Sequence, residues 1–85
     1  MQQSIEVITI HDEDGSIRPF RFKMKDDEGE ELTLQVRKIV NKSEEKIVGV
    51  NYKTFYCLCS INIMNRTFEI RYKQDTCRWF LMKII

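Results

Sequence analysis

In Phe20-Arg21-Phe22-Lys23-Met24-Lys25 apolar and basic side chains alternate without interruption. Side chains on a strand point to opposite faces in turn, so this segment can bury Phe20, Phe22 and Met24 while wetting Arg21, Lys23 and Lys25. Leu32-Thr33-Leu34-Gln35-Val36-Arg37 and Thr67-Phe68-Glu69-Ile70-Arg71-Tyr72-Lys73 repeat the pattern, and Ile5-Glu6-Val7-Ile8-Thr9-Ile10 is rich in β-branched residues. No stretch of ten residues or more shows a helical period, which leaves an antiparallel sheet as the only regular structure the chain encodes.

The joints fit that reading. Asp12-Glu13-Asp14-Gly15 and Asp26-Asp27-Glu28-Gly29-Glu30-Glu31 each set acid and glycine between patterned segments and predict hairpin loops. Pro19 stands at a strand entry, where its missing N–H costs least. Asn41-Lys42-Ser43-Glu44-Glu45-Lys46 is polar enough for a loop, or for one helical turn capped by Ser43. Ile47-Val48-Gly49-Val50-Asn51-Tyr52 then predicts a strand with a bulge or bend at Gly49. Phe55-Tyr56-Cys57-Leu58-Cys59-Ser60-Ile61-Asn62-Ile63 places Phe55, Cys57, Cys59, Ile61 and Ile63 on one face. Turns follow at Met64-Asn65-Arg66 and Asp75-Thr76. The final Cys77-Arg78-Trp79-Phe80-Leu81-Met82-Lys83-Ile84-Ile85 is apolar on both faces and is expected to be covered on both.

Six or seven strands at spacings of about ten residues predict an all-β domain spanning residues 1–85. Its sheet is a single strongly bent one or a small, SH3-like barrel, closure being favoured because open edges invite aggregation. The expected core is Val7, Phe20, Phe22, Leu34, Val36, Val50, Cys57, Cys59, Ile61, Phe68, Ile70, Trp79 and Leu81. With 85 residues, 42% hydrophobic and 32% charged, the chain is long enough for one globular domain and too short for two. No apolar run approaches the roughly 20 residues of a membrane helix. The start Met1-Gln2-Gln3-Ser4-Ile5-Glu6 lacks the basic and apolar regions of a signal peptide, so a cytoplasmic location is expected.

Enzyme signatures are missing from the sequence. Gly15, Gly29 and Gly49 lie too far apart for a phosphate loop or a dinucleotide fingerprint, and there is no Gly-x-Ser-x-Gly elbow. The carboxylates of Asp12, Asp14, Asp26 and Asp27 belong to solvated turns, which do not tune a carboxyl for catalysis. They also lack the distal ligands of a calcium loop. Cys57, Cys59 and Cys77 with the lone His11 supply one ligand set for a zinc-stabilised domain, or a thiol paired with a base. Structural zinc usually draws on two tight ligand pairs, so buried free thiols in a reducing cell are the simpler expectation. No catalytic residue, cofactor or small-molecule substrate is predicted.

Binding is the remaining class. Residues 1–45 carry a net charge of −4 and residues 46–85 a net charge of +5, with the acid mostly in loops and the base mostly on strands. Arg21, Lys23 and Lys25 form one outward row, and Arg71 and Lys73 another, with Tyr56 positioned to join them as an aromatic platform. A basic strand face with aromatics suits single-stranded nucleic acid. Solvated outer faces and edge protection by lysine account for the same residues without any ligand. The competing expectation is a protein partner or a homodimer that covers Phe80 and Met82 on the last strand.

Taken as a set, Pro19-Phe20-Arg21-Phe22, Val36-Arg37-Lys38-Ile39, Phe68-Glu69-Ile70-Arg71-Tyr72 and Cys77-Arg78-Trp79-Phe80-Leu81 resemble small bacterial all-β proteins. Those proteins share a Pro-x-x-Phe strand, an aromatic-Glu-Leu-x-Tyr strand and a Trp-Phe-Leu ending. The layout is also similar to small domains appended to, or encoded beside, Y-family translesion DNA polymerases. The resemblance covers about residues 17 to 84, implies a small barrel and a nucleic-acid context, and supplies no catalytic residue. The chain departs from it between Met24 and Leu32, where a long acidic hairpin replaces a shorter, aromatic-rich turn.

Overall fold

A computed structural model describes residues 2–85 and contains six strands: β1 (Gln3–His11), β2 (Ile17–Lys25), β3 (Glu31–Ile47), β4 (Val50–Ile61), β5 (Met64–Lys73) and β6 (Arg78–Ile84). Each strand pairs antiparallel with the next, and β6 returns to β1, closing a barrel in simple up-and-down order. No helix is long and apolar enough to cross a membrane among the described residues.

The acidic runs are hairpin loops, and their acid has a structural task. Gly15 and Gly29 take φ of 89° and 80°, and their amides donate to the carbonyls of Asp12 and Asp26. Asp26 Oδ1 accepts the amides of both Glu28 and Glu30 at 2.9 Å. Asp14 Oδ1 accepts the Ser16 hydroxyl at 2.6 Å and the Ser16 amide at 2.9 Å, and these bonds hold its carboxyl below the ordinary range.

The middle of the chain is organised differently from the expectation. Residues 41–46 form neither a loop nor a helical turn, because β3 runs through them to Ile47. Each polar residue there has a partner on β4, from Asn41 opposite Tyr56 to Lys46 opposite Asn51. The two segments expected at 47–52 and 55–63 are largely one strand, β4, and Gly49 lies in the two-residue turn that joins it to β3. Val48 and Gly49 both have positive φ, 47° and 79°, which matches the turn to the twist of the paired strands. The turn expected at 64–66 falls at Asn62-Ile63, leaving Ile63 fully exposed instead of facing the core.

Phe22, Met24, Leu34, Phe55, Cys57, Cys59, Phe68, Ile70, Trp79 and Leu81 fill the barrel. Val7, Val36, Val50 and Ile61 are half-buried instead of fully so. Phe20 is a clearer departure, being exposed while Pro19 is buried. Ile8 pairs with Arg21 but Thr9 pairs with Pro19, so Phe20 is the extra residue of a bulge. One inserted residue inverts the inside–outside phase of everything before it. Arg37 and Val40 are extra residues in β3, and Met82 in β6, in the same way.

Candidate binding surface

Phe22 on β2 and Phe68 on β5 meet edge to face in the barrel interior, their ring centroids 5.7 Å apart. Their outward neighbours therefore point in opposite directions. The row Arg21, Lys23 and Lys25 and the row Arg71 and Lys73 do not form the single contiguous basic face expected of them, because β2 and β5 stand on opposite sides of the ring of strands.

The β2 row is largely occupied at home. Lys23 reaches Glu6 at 3.7 Å, Arg21 lies over the Phe20 ring and donates to Gln35 Oε1, and Lys25 stands opposite Glu31. Gln3 clasps the Lys25 backbone at both its amide and its carbonyl.

The β5 row has different company. Arg71 stands between Thr54 of β4 and Phe80 of β6, while Lys73 stands between Tyr52 and Arg78. The Arg71 guanidinium lies 5.6 Å from the Tyr52 ring centroid, donates from Nε to Thr54 Oγ1 and meets Glu45 at 3.3 Å. The Arg78 guanidinium lies 5.2 Å from the Phe80 centroid and donates to the Ser4 hydroxyl. Lys73 sits 4.0 Å from Asp75. Tyr52, Arg71, Phe80 and Met82 share a shallow hollow of about 210 Å³ with Gln2 and Ile47. Residues expected for two separate purposes, Arg71 and Lys73 for nucleic acid and Phe80 and Met82 for a protein, thus lie on one face. Tyr56 follows Tyr52 and Thr54 along the outward side of β4, opposite Glu69, and is half-buried.

The expectation that the last strand is covered on both sides fails at Phe80 and Met82, which are half-buried: Phe80 lies under the Arg78 guanidinium and Met82 lines the shallow hollow, with no further layer over them among the described residues. Tyr52 was missed because the stretch to Tyr52 and the stretch from Phe55 read as separate strands. Taken as one strand, β4 places Tyr52, Thr54 and Tyr56 in a single outward row.

The thiols divide. Cys57 and Cys59 are fully buried, and burial pushes Cys57 up to about 12 and Cys59 up to about 11. Burial therefore favours the neutral thiol at both positions, and Cys57 and Cys59 pack in the barrel interior as small apolar side chains. Cys77 is exposed in the β5–β6 turn with φ 56°, so it is not the core thiol expected. A hydrogen bond with the Cys77 side chain raises the pKa of Tyr72. His11 ends β1, and among the described residues no three His, Cys, Asp or Glu side chains converge on a possible metal position.

Comparison with protein-family models, curated proteins and solved structures finds no match. Of the residues that carry the resemblance to polymerase-associated domains, Phe22, Phe68, Ile70, Trp79 and Leu81 are buried, so those anchors speak to the barrel and not to its surface.

Proposed function

We propose that this barrel is a non-enzymatic binding module that takes single-stranded nucleic acid across the outer face of β4, β5 and β6. The observation that carries this reading is the convergence of Arg71, Lys73 and Arg78 with Tyr52 and Phe80 on one face. Cations along a groove hold phosphates, and aromatic rings beside them offer stacking for bases of any identity. Arg71 and Arg78 rest on these rings in the free protein, so a base displaces a guanidinium toward the backbone phosphate as it stacks. The exposed free thiol of Cys77 supports a reducing compartment such as the cytoplasm.

Fluorescence anisotropy of a labelled single-stranded oligonucleotide tests the reading. Binding should weaken roughly tenfold or more between about 50 and about 200 mM salt. Arg78→Ala and Phe80→Ala should each weaken it, while Lys23→Ala and Lys25→Ala on the opposite side should leave it unchanged. Equal sensitivity to both sets, or no binding at low salt, overturns the assignment.

A further inference from the structure

We infer that the gap between β2 and β3 is a docking groove for an extended, acidic segment of a partner protein, which adds as a strand to the free edge of β3. This inference concerns a different surface and does not rest on the nucleic-acid reading.

Pairing of β2 with β3 stops at Arg21 opposite Gln35. Beyond that point residues 36–47 of β3 pair only with β4, and residues 17–19 of β2 pair only with β1. The stretch where this pairing is missing holds the bulges at Arg37 and Val40 in β3 and at Phe20 in β2, and bulges bend the strand that carries them. Gln35 closes the fork: its Nε2 donates to the Phe20 carbonyl at 3.2 Å, where the next ladder bond would otherwise form.

The gap contains two adjoining hollows of about 390 and 350 Å³, which share Ser16, Ile17, Lys42 and Phe55. Their apolar residues are Phe55, Ile17 and Ile39, with Phe55 buried and the other two half-buried. A strand laid here meets apolar surface with every second side chain, and its backbone runs along the β3 edge that β2 leaves, where the Lys42 amide donates to Asn41 Oδ1 at 2.8 Å.

Charge selects the occupant. The acids of this half of β3 are engaged, Glu44 with Lys53 and Glu45 with Arg71. Its cations Arg37, Lys38, Lys42 and Lys46 have no ion pair among the described residues. Of these Lys42 lines the hollows, with Arg18 and Lys53 beside the paired Asp12 and Glu44, and Arg37 and Lys38 flank them along the edge. A second copy of the chain, pairing edge to edge, would set cation against cation, which is how lysine-bearing edges discourage self-association. An acidic strand meets the complementary sign.

The test is an NMR titration of ¹⁵N-labelled protein with a peptide of alternating glutamate and valine, about eight residues long. Saturable shifts and slowed amide exchange should appear at residues 17–20 and 37–43. Joint replacement Arg37→Glu, Lys38→Glu and Lys42→Glu should weaken binding roughly tenfold and move the preference to a lysine–valine peptide. All three positions are exposed, and an unchanged urea midpoint checks that the variant is folded. Equal binding of a peptide N-methylated along its pairing edge would overturn strand addition. So would shifts confined to the Tyr52–Phe80 face, absence of saturable shifts, or stronger protection of the same amides by an oligonucleotide.

Discussion

Phe22 and Phe68 pack at 67° to one another across the barrel, joining two strands that share no hydrogen bond. The six ladders fix each strand to its neighbours, and the ring pair ties opposite walls together through the interior. Because both rings face inward, the charged residues beside them face apart, and the basic residues are divided between two sides of the molecule.

This pair is expected to be coupled energetically. Phe22→Leu and Phe68→Leu should each lower unfolding stability by about 1–2 kcal/mol, since both rings are buried and leave unfilled volume. The double variant should lose less than the sum, by about 0.5–1.5 kcal/mol, the usual worth of an aromatic pair beyond its buried area. Urea unfolding of the four proteins measures the coupling. Strict additivity would mean that the edge-to-face geometry contributes nothing of its own.

Alternation made the barrel legible, because Phe22, Leu34, Phe68 and Ile70 announce their inward faces through their polar neighbours. Bulges were not legible. Nothing in Pro19-Phe20-Arg21 shows that Phe20 is skipped by its partner strand, yet that one residue exchanges Phe20 for Pro19 in the interior. The polar stretch 41–46 read as a loop because it has no apolar face to bury. It is a strand because β4 continues opposite it, a long-range cause with no local signature. The candidate surface was half visible: Arg71, Lys73, Phe80 and Met82 stood out by residue type, but their meeting depends on the registers of β4, β5 and β6.

The Asp26 carboxylate is expected to matter more than the acids around it. One of its oxygens accepts two loop amides, so Asp26→Ala should cost about 1 kcal/mol, whereas Asp26→Asn keeps an acceptor and should cost less. Asp27→Ala, at an exposed neighbour, should fall within about 0.5 kcal/mol of wild type. Thermal unfolding of the three variants ranks them, and equal midpoints would show that the loop does not need its side-chain acceptor.

Val48 should be a site of easy stabilisation. It is a β-branched residue at φ 47° with its side chain almost wholly in solvent, so it bears the strain of a left-handed backbone and gains no burial in return. Val48→Asn supplies the Asn-Gly pair that this turn favours and should raise stability by about 1 kcal/mol. Gly49→Ala should act in the opposite sense, because Gly49 also has positive φ, although open space surrounds the added methyl. A lower melting temperature for Val48→Asn would show that Val48 has a role outside the turn.

The buried thiols predict an alkaline loss of stability whose sign follows from their shift. Cys57 titrates at about 12 in the folded chain, chiefly because burial disfavours the thiolate, against an ordinary 9.0 once unfolded. Below about pH 9 both states hold the proton and the contribution of Cys57 is fully present. As pH rises from about 9 toward 12 the unfolded chain releases its proton first, and the folded state loses ground by about 1.4 kcal/mol per pH unit from this group. Cys59 acts in the same direction over a narrower window, up to about 11. The informative comparison is wild type against Cys57→Ala, measured by urea unfolding at several pH values between about 8 and about 11. The variant is expected to be less stable near neutrality, where a buried side chain has been trimmed, and to lose stability less steeply as pH rises. Thiol labelling supplies a second reading: exposed Cys77 should react at once in the native protein, and Cys57 and Cys59 only as it unfolds. Equal slopes in the two proteins, together with prompt modification of all three thiols, would mean that solvent reaches the interior between β4 and its neighbours.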